Sequence, residues 1–136
     1  MSDFIIGIGI VLNESGHVLI DQRTYDKSMG GLWEFPGGKK EIKESIQDTI
    51  AREVLEELGI VVRVGDKLIE FEYSYNKKMF YFIVHICKLI SGTPKPIESL
   101  QIKWVKPINL INYSFPDANS KIIDALNEYL ILNKDK

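Results

Sequence analysis

Apolar residues in this chain come in short blocks, and their spacing changes from block to block. Phe4 to Leu12 reads FIIGIGIVL, a β-rich run too short to cross a bilayer, and it predicts a strand. Glu14-Ser15-Gly16 is a turn signal, and His17 to Gln22 predicts a second strand that closes a hairpin. Residues 23–31 are polar and predict a loop, followed by a short apolar strand at Trp33. From Ser45 to Leu58 the period changes. Ile46, Ile50, Val54 and Leu58 recur every four residues, the stripe of a helix, with acidic residues near its start and Gly59 as a stop. Val61 to Tyr75 predicts two extended stretches with Asp66 near a bend, and Asn76-Lys77-Lys78 a turn. Met79 to Leu89 is a continuous apolar run, the pattern of a buried strand. Gly92, Pro94 and Pro96 mark residues 91–99 as a loop, and Ile102 to Val105 predicts a last strand. Residues 106–114 are a connection with one helical turn. Pro116 to Leu132 predicts a second amphipathic helix, with Ile122, Ile123, Leu126, Tyr129 and Leu130 on its apolar face. The Lys134-Asp135-Lys136 end is expected to fray. Strands interleaved with two helices predict one α/β domain over residues 1–136, a mixed sheet with helices on its faces.

The first helix carries the candidate chemistry. Glu53, Glu56 and Glu57 are three and four apart and share a face, and Glu53 and Glu57 border the apolar stripe, where core meets cleft. Three carboxylates that close repel one another. A hard cation among the oxygens relieves this, and Mg²⁺ or Mn²⁺ so held also grips substrate phosphates. Arg52 is the only base in the cluster, and its rigid fork suits it to orient a carboxylate through two hydrogen bonds. Such a run also decorates solvated helix faces, but here a glycine loop leads into it. Trp33-Glu34-Phe35-Pro36-Gly37-Gly38-Lys39 is a short strand ended by Pro and paired glycines, which let the backbone come close to a ligand, and Lys39 adds a positive charge beside it.

Composition narrows the partners. The 136 residues are 45% apolar and 26% charged, ordinary for a globular chain with a real core. A net charge of −2 offers no electrostatic footprint for a nucleic-acid polymer, so a nucleotide carried in with its metal is the better partner. Cys87 is the only cysteine, which excludes an intrachain disulfide and fits a reducing cytoplasm. Cys87 itself reads as a small buried apolar residue. Nothing predicts a membrane segment or a signal peptide.

Residues 38–60 contain Gly38, Glu44, Arg52-Glu53, Glu56-Glu57, Gly59 and Ile60 at fixed spacing, with Val54 between. This pattern matches without a gap the box of the Nudix hydrolases. That resemblance implies an α/β/α sandwich with a mixed sheet and a loop–helix–loop catalytic box. Leu32 to Lys39 (LWEFPGGK) and Phe115-Pro116-Asp117-Ala118-Asn119 are similar to segments of the MutT-type antimutator branch, which clears oxidised guanine nucleotides, and this resemblance covers nearly the whole chain. It implies a Mg²⁺-dependent pyrophosphohydrolase, with Mn²⁺ as a possible substitute, converting 8-oxo-dGTP to 8-oxo-dGMP and pyrophosphate. The chain would act as a monomer or weak dimer.

The resemblance also distributes roles. Glu53, Glu56, Glu57, Glu98 and the Gly37 carbonyl would hold the metal, and Glu53 or Glu98 would take the proton of the attacking water. Arg52 would orient carboxylates, while Glu44 fits a supporting or helix-start place. Arg23, Glu34, Phe35, Gly38, Lys39, Phe80 and Asn119 would bind the nucleotide. Asn119 would read the base edge, since an amide offers both a donor and an acceptor; a place in the first turn of the helix is its plain structural alternative. Phe80 would stack on the base or simply fill the sheet, and Trp33 and Trp104 read as core. Residues 74–82 and 90–97 depart from that branch. Two other readings stand beside this one: a Nudix hydrolase of another nucleotide, dinucleoside polyphosphate or ADP-ribose, and a non-catalytic nucleotide sensor, against which the intact carboxylates argue.

Overall fold

The computed structural model describes residues 2–134, and the predicted fraying at Asp135 and Lys136 lies outside the described residues. Among the described residues, seven strands and two α-helices follow in the order β1 (Phe4–Leu12), β2 (Val18–Gln22), β3 (Trp33–Glu34), β4 (Gly37–Lys39), α1 (Ile46–Leu58), β5 (Val61–Tyr75), β6 (Lys78–Ser91), β7 (Ile102–Val105) and α2 (Asn119–Asn133). A 3-10 helix, Pro107–Asn112, is the helical turn expected between β7 and α2. β1 runs parallel to β6 over nine residue pairs and the other pairings are antiparallel, so the sheet is mixed.

Alternation along β1 and β2 divides the core between two faces. Ile8, Ile10 and Ile20 join Trp33, Phe35, Ile122 and Leu126 under α2. Val11 and Leu19 join Ile50, Val54, Leu58 and Cys87 under α1. Helices on both faces give the α/β/α sandwich. On the α1 face, β1 presents Gly7 and Gly9. A Cβ on Gly7 would come within 2.9 Å of Ile50 Cγ1, so these positions let the helix lie close against the strand. Ser45 caps the helix by accepting from the Asp48 N–H at 3.0 Å. Gly59 ends it in the left-handed region (φ 71) and donates to the Leu55 carbonyl.

The glycine segment departs from the expected loop. β1 and β2 pair at Leu12↔Val18 and then separate. Residues 33–39 fill the gap: Trp33 and Glu34 pair with β2, Gly37 to Lys39 pair with β1, and Gly9 donates to the Pro36 carbonyl at 2.9 Å. Gly37 and Gly38 are thus strand residues as well as part of the box. β5 is one strand rather than two, since pairing with β6 resumes after a shift between Val64 and Lys67. The Gly65 carbonyl freed by this bulge bonds His85 Nδ1 at 2.8 Å. The turn beyond carries φ 53 at Asn76 and φ 64 at Lys77, the left-handed pair that matches hairpin twist. α2 begins at Asn119 rather than Pro116, because residues 116–118 turn once before the helical ladder starts.

Leu58 is fully buried under α1 and Leu132 is 71% exposed near the end of α2. Leu58→Ala is expected to lower the unfolding free energy by about 2–5 kcal/mol in urea titrations, and Leu132→Ala by about 0.5 kcal/mol or less.

Candidate active site

α1 sets its acidic face above the glycine segment. A Cβ on Gly38 would overlap the Glu53 carboxylate, so glycine is required there for the helix to seat. Arg52 is the hub. Its Nε donates to Glu44 Oε2 at 2.5 Å and its Nη2 to Glu44 Oε1 at 2.9 Å, a two-pronged pair. Glu44 also accepts from the Thr49 hydroxyl at 2.9 Å and the Glu41 N–H at 3.0 Å. Arg52, with these backbone and hydroxyl donors, holds the Glu44 carboxyl far below the usual range, at about 2. Arg52 reaches on from Nη2 to the Lys39 carbonyl at 3.1 Å, and from Nη1 to Glu53 at 3.4 Å and Glu56 at 3.3 Å. The guanidinium therefore ties the loop to the helix and faces two of the box carboxylates.

Glu53 is largely buried and Glu56 about half exposed. Burial raises the Glu53 carboxyl, Arg52 opposes this, and the charges of Glu56 and Glu98 add to it. Glu98 sits on the exposed 92–101 loop, where its backbone carbonyl accepts from Lys27 Nζ at 3.4 Å. Its charge reaches Glu53.

The tightest grouping is not the predicted one. Among the described residues, the carboxylates whose oxygens lie within 4.8 Å of one another are Asp21, Glu34 and Glu57. Glu53 and Glu56 are drawn instead toward Arg52. Burial pushes the Glu57 carboxyl up to about 9, with Asp21, Glu34 and Glu53 adding to it and a backbone bond from Gly37 opposing. Asp21, buried on β2, is likewise raised, by burial and then by Glu34. Sequence reading missed Asp21. The available signal was period two: Leu19 faces α1, so the residue two further on faces it too, and a carboxylate there is out of place in a core strand.

The predicted nucleotide-binding residues gather around a cavity of about 410 Å³ beside this cluster. Arg23, Glu34, Phe35, Gly38, Lys39, Phe80 and Asn119 all line it, together with Met29, Tyr73, Tyr75 and Phe82, which sequence reading did not select. Arg23 is held by Glu34 at 2.6 Å and the Ser28 carbonyl at 2.8 Å. Phe35 is buried and stacks on Phe115 with centroids 5.1 Å apart, so it is a core residue that also walls the cavity. Phe80 stacks between Phe4 and Phe82 on the sheet. Lys39 Nζ lies 4.1 Å from the Phe4 ring centroid. Asn119 opens α2, and its Nδ2 makes a long contact of 3.4 Å to the Pro116 carbonyl. Met29 holds φ 55, a strained conformation for a long side chain, at the cavity rim. Trp33 is buried as expected, and Trp104 packs partly buried against the α1 core. A larger open groove of about 1190 Å³ lies between the 3-10 helix and α2 and contains none of the box residues.

The raised Glu57 carboxyl sets a pH dependence. It is faced by Asp21 on β2, Glu34 on β3, Glu53 on α1 and the Gly37 N–H on β4. The folded chain keeps a proton here up to about pH 9 that the unfolded chain releases near 4.5, so this stability is complete below 4.5 and lost as pH rises toward 9. The opposite contribution of Glu44 is already complete above 4.5. In chelator, the thermal unfolding midpoint is expected to fall across that window, and Glu57→Gln to flatten the fall. A midpoint that climbs with pH in wild type would refute this assignment.

Residues 7–125 match the NUDIX domain family. The 8-oxo-dGTP diphosphatase of Buchnera aphidicola subsp. Acyrthosiphon pisum is 36% identical over 117 residues, covering 86% of this chain and 92% of that protein. The CTP pyrophosphohydrolase of Escherichia coli K12 is 30% identical over 122 residues, 87% of each chain. The crystal structure of a MutT protein from Methanosarcina mazei Go1 aligns with a TM-score of 0.82 at 26% identity, over 96% of this chain and 95% of that one. The family match spans the glycine segment and the start of α2, which line the cavity, and the acidic helix that packs on the glycine segment, and the chain belongs to the Nudix hydrolase family.

Proposed function

We propose that this hydrolase converts 8-oxo-dGTP to 8-oxo-dGMP and pyrophosphate with Mg²⁺. The observation that carries the reading is the cavity itself: one opening lined by an amide at Asn119, by aromatic walls, and by the glycine segment that leads to the carboxylates. The 8-oxo-dGTP diphosphatase names of several relatives support the same choice.

The donor set fits a hard divalent cation. Glu53, Glu56, Glu57 and the Gly37 carbonyl offer oxygen ligands, with Glu98 on the adjoining loop. Glu53 and Glu57 are raised first by burial and then by neighbouring carboxylates, an environment that a bound cation would relieve. When bound, the ion supplies neutralisation of the phosphate chain and a more acidic water. The chain's own residues do the rest. Glu53, largely buried and raised, is the candidate to accept the water's proton, with Glu98 the second. Arg52 keeps Glu53 and Glu56 in orientation, and Glu44 keeps Arg52. Asn119 pairs with the base edge, while Phe35, Phe80 and Tyr73 exclude water from its faces. Arg23 and Lys39 bring positive charge to the sugar and phosphate side.

A second reading rests on the E. coli relative: a name of CTP pyrophosphohydrolase at an identity similar to that of the 8-oxo-dGTP diphosphatases makes another nucleoside triphosphate the alternative substrate. The two separate on kcat/KM for 8-oxo-dGTP, dGTP and CTP measured side by side by pyrophosphate release. A marked preference for the oxidised guanine is expected. CTP as the best substrate would replace the proposal with the second reading.

Two substitutions divide chemistry from recognition. Glu53→Gln is expected to lower kcat by about two to four orders of magnitude while the circular dichroism spectrum is kept; activity near wild type would remove Glu53 from the reaction. Asn119→Ala is expected to shrink the ratio of kcat/KM for 8-oxo-dGTP over dGTP by about tenfold, near 1.4 kcal/mol of discrimination, and an unchanged ratio would return Asn119 to a helix-start role.

A further inference from the structure

β2, β3 and the overlying α1 converge, and each contributes one carboxylate. Asp21 on β2 and Glu34 on β3 are direct cross-strand partners in the antiparallel register. Like charges at such a position destabilise a sheet. Glu57, on the overlying helix, completes the group, with one oxygen of each residue within 4.8 Å of the others. Asp21 is 1% exposed. Its Oδ2 accepts from the Ser99 hydroxyl at 2.7 Å, but Oδ1 has no hydrogen-bond partner and is the one buried side-chain polar atom among the described residues left so. A buried carboxylate oxygen without a donor is costly unless something in the site satisfies it. Glu34 has no proton donor to offer when ionised, and one of its oxygens is already committed to Arg23 at 2.6 Å. The span of the group suits one hard cation, whose opposite oxygen ligands stand about 4–5 Å apart for Mg²⁺ through Ca²⁺.

We propose that Asp21, Glu34 and Glu57 hold a second divalent cation, beside the one proposed at Glu53 and Glu56 and sharing Glu57 with it, which ties α1 to β2 and β3. Glu57 lies between the sheet pair and Glu53 and is the ligand common to both regions. Ser99 would hold Asp21 in place, and Arg23 would hold Glu34, so the first-contact oxygens are oriented by their neighbours. The site does not depend on which nucleotide is hydrolysed and needs no nucleotide to fill. It would stiffen the junction between the glycine segment and the helix before substrate arrives.

The test counts bound Mn²⁺ by electron paramagnetic resonance on the full chain without nucleotide, in wild type, Asp21→Asn, Glu34→Gln, Glu56→Gln and the double variant Asp21→Asn/Glu56→Gln. Asparagine keeps the shape of Asp21 and removes its charge. Asp21→Asn and Glu34→Gln are each expected to lose one Mn²⁺ per chain, or to bind it about tenfold or more weakly; Glu56→Gln weakens the other ion, so the double variant Asp21→Asn/Glu56→Gln is expected to bind less Mn²⁺ than either single variant. Thermal unfolding supplies a second readout: in chelator, Asp21→Asn should match or exceed wild type, because a like-charge pair is relieved, and should lose the gain that Mn²⁺ confers on wild type. Unchanged Mn²⁺ number and affinity in Asp21→Asn would overturn the proposal and leave a proton shared between Asp21 and Glu34. A double variant Asp21→Asn/Glu56→Gln that binds as much Mn²⁺ as Asp21→Asn alone would overturn the separateness of the two ions. No Mn²⁺ bound by wild type would overturn it too, while the metal requirement of hydrolysis, read with nucleotide present, is a distinct result.

Discussion

The divergence of β1 from β2 is the constraint on which the site depends. Two strands that separate after one residue pair leave open backbone groups on facing edges, and those groups must be satisfied. Residues 33–39 satisfy both, bonding β2 with their first half and β1 with their second. A segment so placed has no freedom to wander. It brings Glu34 against Asp21, sets Phe35 into the core under α2, and lays Gly37 and Gly38 where the helix can settle on them. Glycine is demanded by contact as much as by conformation, since the Glu53 carboxylate occupies the space of a Gly38 side chain.

On this base the helix concentrates like charge on one face. Arg52 balances part of it. Its fork is committed to Glu44, which is itself locked by Thr49 and the Glu41 backbone, so the remaining nitrogen is delivered to Glu53 and Glu56 at fixed height. Glu57 lies beyond that reach, on the sheet side, where burial, and then Asp21 and Glu34, raise its proton affinity. The site is therefore two electrostatic regions on one helix face: an arginine-balanced one toward solvent and an unbalanced one toward the sheet. The first is suited to proton transfer at a water. The second stores repulsion that a cation or a proton relieves.

The cavity beside the carboxylates is walled by residues that already serve the fold. Phe35 and Phe80 are stacked within aromatic groups of the core and sheet, and Arg23 is held by Glu34 and a loop carbonyl. Walls of this kind are rigid before any ligand arrives, which lowers the ordering cost of binding. Tyr73 and Tyr75 reach the cavity because the β5–β6 hairpin, set by its left-handed turn at Asn76 and Lys77, carries them there.

Local pattern was enough for the elements and for the family. A four-residue apolar period, a serine cap and a terminal glycine act within a few residues of one another, so the sequence alone located α1 and placed Arg52, Glu53, Glu56 and Glu57 on it. Strand alternation and turn residues act equally locally and were legible in β1, β2, β6 and β7. What remained hidden depends on contacts between distant segments. That Gly37 to Lys39 would pair as a strand follows from a gap opened by residues far upstream. That β5 continues through its bulge follows from β6 across the ladder. The grouping of Asp21 with Glu34 and Glu57 joins three segments with no spacing in common, and period two in β2 tells only that Asp21 faces α1, not which carboxylates meet it there. Periodicity carries information about a residue's own helix or strand, while desolvation and mutual charge are set by whichever elements pack above and beside it, and those only the tertiary structure decides.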